Sequence, residues 1–166
     1  MGHKLEINLE DYLTIDEIKE KDLLLTDLCA RLPYGVKFKW CDNFHTDDYY
    51  TLISINEGQI TGRDVNQDDC LFFWGQDKIK PYLRPMSSMT EEEKKEYIEY
   101  AGYEIEESVN GRHYEYYLKD FCGTPDNPSV NTNGVDWLNK KMFDYRGLVP
   151  KDLAISTEVF NPYNKD

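Results

Sequence analysis

The chain changes its hydrophobic period at Val36, and that switch does most to restrict the folds open to it. Val36, Phe38 and Trp40 alternate with Lys37 and Lys39, the spacing of a strand with one face buried and the other wet. Residues 50–55 and 59–65 are rich in β-branched side chains and flank Asn56-Glu57-Gly58, where glycine supplies the positive φ of a tight hairpin turn. Residues 70–74 form an apolar run too short for a helix. Together these segments predict an antiparallel meander of about four strands, covered on one face by a helix.

That helix precedes the switch. Thr14 and Glu17 stand at capping-box spacing, and Ile15, Ile18, Leu25, Leu28 and Leu32 recur near the helical period. The pattern predicts a helix over 15–31, whole or broken near Lys21, that ends at Pro33 and Gly35. Lys80-Pro81 and Arg84-Pro85 bias their first residues toward extended backbone, so 79–89 reads as a connector. Thr90 and Glu93 form a second capping box, with Glu91 and Glu92 at the positive end of the dipole, for a helix ending at Gly102. Asn133 is placed to cap a helix over 135–143 that turns Trp137, Leu138 and Met142 inward.

Asn110-Gly111 is the clearest two-residue hairpin turn in the chain. Pairing outward from it sets Glu106 against Glu115, a like-charge pair that needs water or a partner to relieve it. With 166 residues, 40% of them hydrophobic, the chain can bury one core. The expected architecture is a single α+β domain over 1–166: a small antiparallel β-meander packed against two or three helices, with an additional acidic β-hairpin. Residues 1–13 and 156–166 are expected to fray.

Charge narrows the partner class. There are 32 acidic and 19 basic residues, a formal charge of −13, which disfavours direct nucleic-acid binding and a polybasic membrane patch. No run reaches the roughly 18 apolar residues of a membrane helix, and residues 1–10 lack a basic region followed by an apolar one, so no secretory signal is expected. Cys29, Cys41, Cys70 and Cys122 contain no CxxC pair, consistent with reduced thiols in a bacterial cytoplasm.

Three blocks carry a resemblance. Ala30-Arg31-Leu32-Pro33-Tyr34-Gly35-Val36-Lys37, then Lys80-Pro81-Tyr82-Leu83-Arg84-Pro85-Met86-Ser87-Ser88-Met89-Thr90-Glu91-Glu92-Glu93, then Trp137-Leu138-Asn139 leading to Phe143-Asp144-Tyr145-Arg146-Gly147-Leu148 together resemble a family of small proteins of phages, prophages and mobile elements of Bacteroidales. The resemblance spans roughly residues 22–155 and implies genetic context; it carries over no reaction and no catalytic residue.

Chemical motifs are sparse. Cys41 and His45, with Asp47 and Asp48 beyond, have partial metal-ligand spacing but need distant residues to complete a site, so no metal and no cofactor are expected. Asp64, Asn66 and Asp68 start like a calcium loop, yet Asp69 stands where glycine is required and Gly75 where the terminal glutamate belongs. Nucleophile-elbow, zinc-protease and phosphate-loop patterns do not occur. Residues 1–30 and 91–120 hold 11 of the 13 net negative charges. This points to Glu104, Glu106, Glu115 and Tyr117 on the hairpin, with Arg146 at a helix end, as partner-binding residues. Arg146 has a structural role open to it as well, bonding the last helix carbonyls and pairing with Asp144. The expected function is that of a non-enzymatic accessory protein. It would bind a basic host or defence protein, one that itself binds nucleic acid, as an acidic mimic in its groove. A phage assembly component and an enzyme or metal-dependent sensor with a scattered site are the alternatives.

Overall fold

The computed structural model describes residues 15–41, 49–73, 78–101 and 132–164. Among them, β1 (Lys37–Trp40), β2 (Tyr49–Asn56), β3 (Gln59–Arg63), β4 (Asp69–Phe73), β5 (Ile79–Leu83) and β6 (Ile155–Ser156) form one sheet in the order β4-β3-β2-β1-β5-β6. All neighbours are antiparallel except β5 and β6. Three α-helices accompany it: α1 (Ile15–Arg31), α2 (Glu91–Ala101) and α3 (Thr132–Lys140). The chain therefore has the α+β architecture expected of it, with the β4-to-β1 meander at its centre. The acidic hairpin built outward from Asn110-Gly111 lies outside the described residues.

The sheet's inner face supplies the larger core. Phe38, Tyr50, Leu52, Ile60 and Phe72 pack with Leu24 and Leu28 of α1 and with Met142 and Leu148. Phe72 meets Phe38 and Tyr50 edge-on, with ring centroids at 5.3 and 4.9 Å. Gly62 lets this aromatic group close over β3, since a Cβ there would stand 2.6 Å from the Phe38 ring. A smaller core joins α2 to α3 through Tyr97, Ile98, Trp137, Leu138 and Phe143. Trp137, Leu138 and Met142 do face inward, whereas Trp40 is only half-buried at the edge of the larger core.

Helix α1 runs unbroken through Lys21 and ends in a 3₁₀ turn, Leu32–Tyr34, closed by Gly35 at φ 65°. Its buried face is Leu24, Asp27, Leu28 and Arg31, one step round from the stripe expected, and Ile18 is 46% exposed. The second capping box forms as expected: the Glu93 N–H donates to Thr90 Oγ1 (3.2 Å) and the Thr90 N–H to Glu93 Oε2 (3.1 Å). Helix α3 starts and stops about three residues earlier than expected, so Asn133 lies inside it. A Schellman pair ends it, Phe143 N–H to Leu138 O and Met142 N–H to Asn139 O, with Met142 left-handed at φ 61°. A bulky residue takes that conformation at a cost of about 1–2 kcal/mol, offset by burial of the Met142 side chain in the sheet core.

Two expectations are corrected. Residues 79–83 are a paired strand and not a connector. The Cys41 N–H donates to Lys78 O (2.7 Å); in the antiparallel register with Phe38 opposite Pro81, hydrogen-bonded pairs fall at 41/78, 39/80 and 37/82, and Pro81 occupies a non-hydrogen-bonded position. Its missing N–H therefore costs the β1–β5 ladder nothing. The tail, expected to fray, is held instead: β6 pairs with Tyr82 and Leu83, Phe160 packs edge-on against Tyr82, and the Tyr163 hydroxyl enters the sheet. It accepts from the Lys37 N–H (2.9 Å) and donates to Tyr82 O (3.0 Å), standing as a rung between the 37/82 pair. Burial raises the Tyr163 phenol far above its ordinary value, which keeps that donor protonated.

Tyr163→Phe removes the rung while keeping the ring. It should destabilise the protein by about 1–3 kcal/mol, the cost of stripping the partners from a buried donor and acceptor, and hasten amide exchange at Lys37. Unchanged urea unfolding and unchanged exchange at Lys37 would show that the hydroxyl is no rung.

Candidate functional site

The charged residues on the buried face of α1 build the centre of the site. Asp27 and Arg31 are one helical turn apart and both 0% exposed. Arg31 Nε and Nη2 grip the two Asp27 carboxylate oxygens at 2.8 and 3.0 Å. Its remaining reach goes to the end of α3, where Nη2 donates to Phe143 O (2.7 Å) and Nη1, at a long 3.5 Å, to Asn139 O. A buried ion pair is tolerated only when its other polar atoms are also satisfied, and the Asn139 and Phe143 carbonyls, which also accept the Met142 and Tyr145 N–H groups, take the remaining Arg31 donors.

Arg146 approaches the same carboxylate from the loop after α3. Its Nη1 donates to Asp27 Oδ1 at 2.9 Å, and its guanidinium lies 4.5 Å from the Tyr145 ring centroid. The expected pairing with Asp144 and with the last helix carbonyls is corrected: Arg31 holds those carbonyls. Asp144 is committed elsewhere, its two oxygens accepting the Leu148 and Val149 N–H groups at 2.8 Å each. Desolvation raises the Asp144 carboxyl above its usual range, against the pull of those two N–H bonds. The Tyr145 ring also meets Arg31, whose guanidinium is 5.6 Å from its centroid, and its hydroxyl donates to Asn139 Oδ1 (3.1 Å).

This loop forms one wall of a cleft of about 480 Å³; the 3₁₀ turn Met86–Ser88 after β5 forms the other. Backbone bonds lock the walls at their base, Arg84 N–H to Met142 O (2.8 Å) and Asp144 N–H to Arg84 O (2.7 Å). Arg84 also clamps Glu93 at 2.7 and 2.8 Å, so the cleft's turn is tied to the first turn of α2, and this contact holds the Glu93 carboxyl below its usual range.

Of the sequence-derived candidates, only Arg146 reaches this site. Glu104, Glu106, Glu115 and Tyr117 lie outside the described residues, as do His45, Asp47, Asp48 and Cys122. Cys29, Cys41 and Cys70 are free thiols, and no group of three or more metal-ligating side chains occurs among the described residues. Asp64 is taken up by its own turn, where Oδ1 accepts the Asn66 and Asp68 N–H groups. No helix among the described residues is long and apolar enough to cross a membrane. Asp27 and Arg31 are not among the sequence-derived candidates, although their spacing from Leu24 and Leu28 sets two opposite charges in the apolar stripe itself.

Asp27→Ala strands a buried guanidinium and should cost about 3–5 kcal/mol, and Arg31→Met a similar amount. The double variant Asp27→Leu/Arg31→Met removes both charges and should lose clearly less than the two single losses combined. Additive losses in urea unfolding would contradict the coupling.

Compared with protein-family models, with curated proteins and with solved structures, the chain matches none.

Proposed function

We propose that this is a non-enzymatic accessory protein of a phage or mobile element that docks an acidic surface on the basic, nucleic-acid-binding groove of a host or defence protein. The observation that carries the reading is the uneven pairing of charge. The described residues contain 18 acidic and 15 basic side chains, close to balance, and several carboxylates are matched: Glu91 by Lys94, Glu93 by Arg84, Glu96 by Lys141 and Asp69 by Arg63. Glu20 and Asp22 on α1 and Glu92 and Glu99 on α2 are exposed and have no cationic partner among the described residues. Ile18 and Tyr100, 46% and 47% exposed, add apolar contact area beside them.

Most of the excess acidity lies elsewhere, in segments that include Glu104, Glu106 and Glu115. Folding gains little from unmatched surface carboxylates, since like charges repel. A basic groove gains from them through steered encounter and complementary potential. Tyr117 adds an aromatic contact of the kind that anchors interfaces.

The test needs the partner in pure form: a protein recovered on this chain from a Bacteroidales lysate, identified and then purified. Two charge-reversal variants are compared with the parent, one carrying Glu20, Asp22, Glu92 and Glu99 changed to lysine, the other Glu104, Glu106 and Glu115. Each should keep its fold by circular dichroism and associate about tenfold more slowly. Raising salt from about 0.05 to 0.5 M shortens the screening length about threefold, so the parent should lose affinity and the variants much less. Duplex DNA should compete with the parent. Equal rates and equal salt response in all three proteins, or no competition by DNA, overturns the acidic-groove reading.

A further inference from the structure

We propose that the cleft between the Met86–Ser88 turn and the loop after α3 binds a small amphiphilic organic anion, its carboxylate or phosphate head on Arg146 and Lys151 and its apolar body against Met86, Val149 and Pro150. The cleft is lined by none of the carboxylates reversed in the test above, so either reading can fail without the other.

The size is right for a small ligand, about 480 Å³, within the range of ordinary ligand clefts. The chemistry of its lining runs against the rest of the chain. In a protein of net charge −13, this cleft is lined by two cations, Arg146 and Lys151, and one acid, Asp144. Both Asp144 oxygens are engaged by backbone N–H groups. The carboxylate behind Arg146, Asp27, already has a full bidentate partner in Arg31, so Arg146 is a second cation on a neutralised acid. One Arg146 N–H goes to Asp27, and a guanidinium has five such donors; the others have no partner among the described residues. Arg146 is 18% exposed, desolvated enough for an ionic hydrogen bond to count and open enough to be reached. Lys151 is exposed and forms no ion pair among the described residues, while its neighbour Asp152 is taken by Lys80 at 2.5 Å.

The walls are preorganised. Tyr145 holds the Arg146 guanidinium in place by stacking, and Asn139 holds Tyr145. Gly147 turns the loop at φ 69°, and the Asp144 bonds fix the Leu148 and Val149 backbone. A site whose cation is positioned before the ligand arrives loses little entropy on binding. Pro85, Met86, Val149 and Pro150 offer apolar contact for a body, and Ser87 offers a hydroxyl donor at the rim. An inorganic ion would leave that apolar lining unused.

Amide and side-chain NMR of the full chain, titrated with 4-phenylbutyrate and with phenyl phosphate, tests the proposal; the neutral isostere 4-phenylbutanol and inorganic phosphate serve as references. Saturable shifts should appear at Ser87 and at residues 145–151 with both organic anions. The isostere and inorganic phosphate should each bind about tenfold more weakly or worse, since each lacks either the ionic hydrogen bonds or the apolar contact. Lys151→Glu, an exposed change that leaves the fold intact, should weaken the organic anions by about tenfold or more, and Arg146→Met should abolish the shifts at Ser87. Phenylbutyrate alone binding would assign the head group as a carboxylate, phenyl phosphate alone as a phosphate, and each supports the site. Absence of shifts at the cleft with both anions up to about 5 mM, a range that detects even millimolar affinity, overturns the proposal. So do equal affinity for the neutral isostere, equal affinity for inorganic phosphate, or unchanged binding in Lys151→Glu.

Discussion

The fold depends on one buried ion pair. Without Arg31 the carbonyls of Asn139 and Phe143 would lose the donor that ties them to α1, and without Asp27 the Arg31 charge would be stranded at zero exposure. Such a pair adds little net stability over a hydrophobic one of equal size. What it does supply here is position. An apolar contact between α1 and the end of α3 would tolerate sliding by a fraction of a turn, whereas a fork gripping one carboxylate and two carbonyls allows a single arrangement. That arrangement sets where the chain leaves α3, and hence where Phe143 meets Arg84 and where the loop carrying Asp144, Tyr145 and Arg146 begins.

The sheet is completed in a comparable way. Four meander strands pair with their neighbours in sequence, but β5 pairs back onto β1 and β6 comes from the far end of the chain. Pro81 fits because its nitrogen falls on the unpaired side of the register, and Tyr163 bridges the rung at which β5 turns toward β6. The tail also covers the outer face of β5 and β1: Phe160 and Tyr163 flank Tyr82 and Lys37, and the Lys37 ammonium lies 4.7 Å from the Tyr49 ring centroid. Coverage on both faces explains why Tyr82, an outward-pointing residue, is buried.

Local signals were legible and long-range ones were not. The turn at Asn56-Glu57-Gly58, the Thr90–Glu93 capping box and the extent of α1 each rest on residues within a few positions of one another, and the structure has them as the sequence implies. At 79–83 the prolines restrict the backbone angles of their preceding residues, but sequence does not reveal which side of a ladder the Pro81 nitrogen faces. The tail was illegible for a related reason: its short segments have little pattern of their own, and what holds them is a hydroxyl between strands more than 80 residues away. Arg146 was singled out as a cation at a helix end, but Arg31 occupies that role, and only the three-dimensional path brings Arg146 to Asp27 across 119 residues.

The same geometry separates structure from function at the cleft. Asp27 serves two arginines, one sealed in the core and one at the surface, and they differ in what they need from it. Arg31 has no other anionic partner than this carboxylate among the described residues, so the pair is a condition of folding. Arg146 is 18% exposed, stacked on Tyr145, and bound to Asp27 by a single arm, so part of it remains open to water. Removing Arg146 leaves Asp27 still fully gripped by Arg31, so the fold has no strong need of the second cation. A positive group held firmly at a cleft wall, in a chain that is otherwise strongly acidic, and expendable to the core beneath it, is a group whose position is explained by what enters the cleft rather than by what lies behind it.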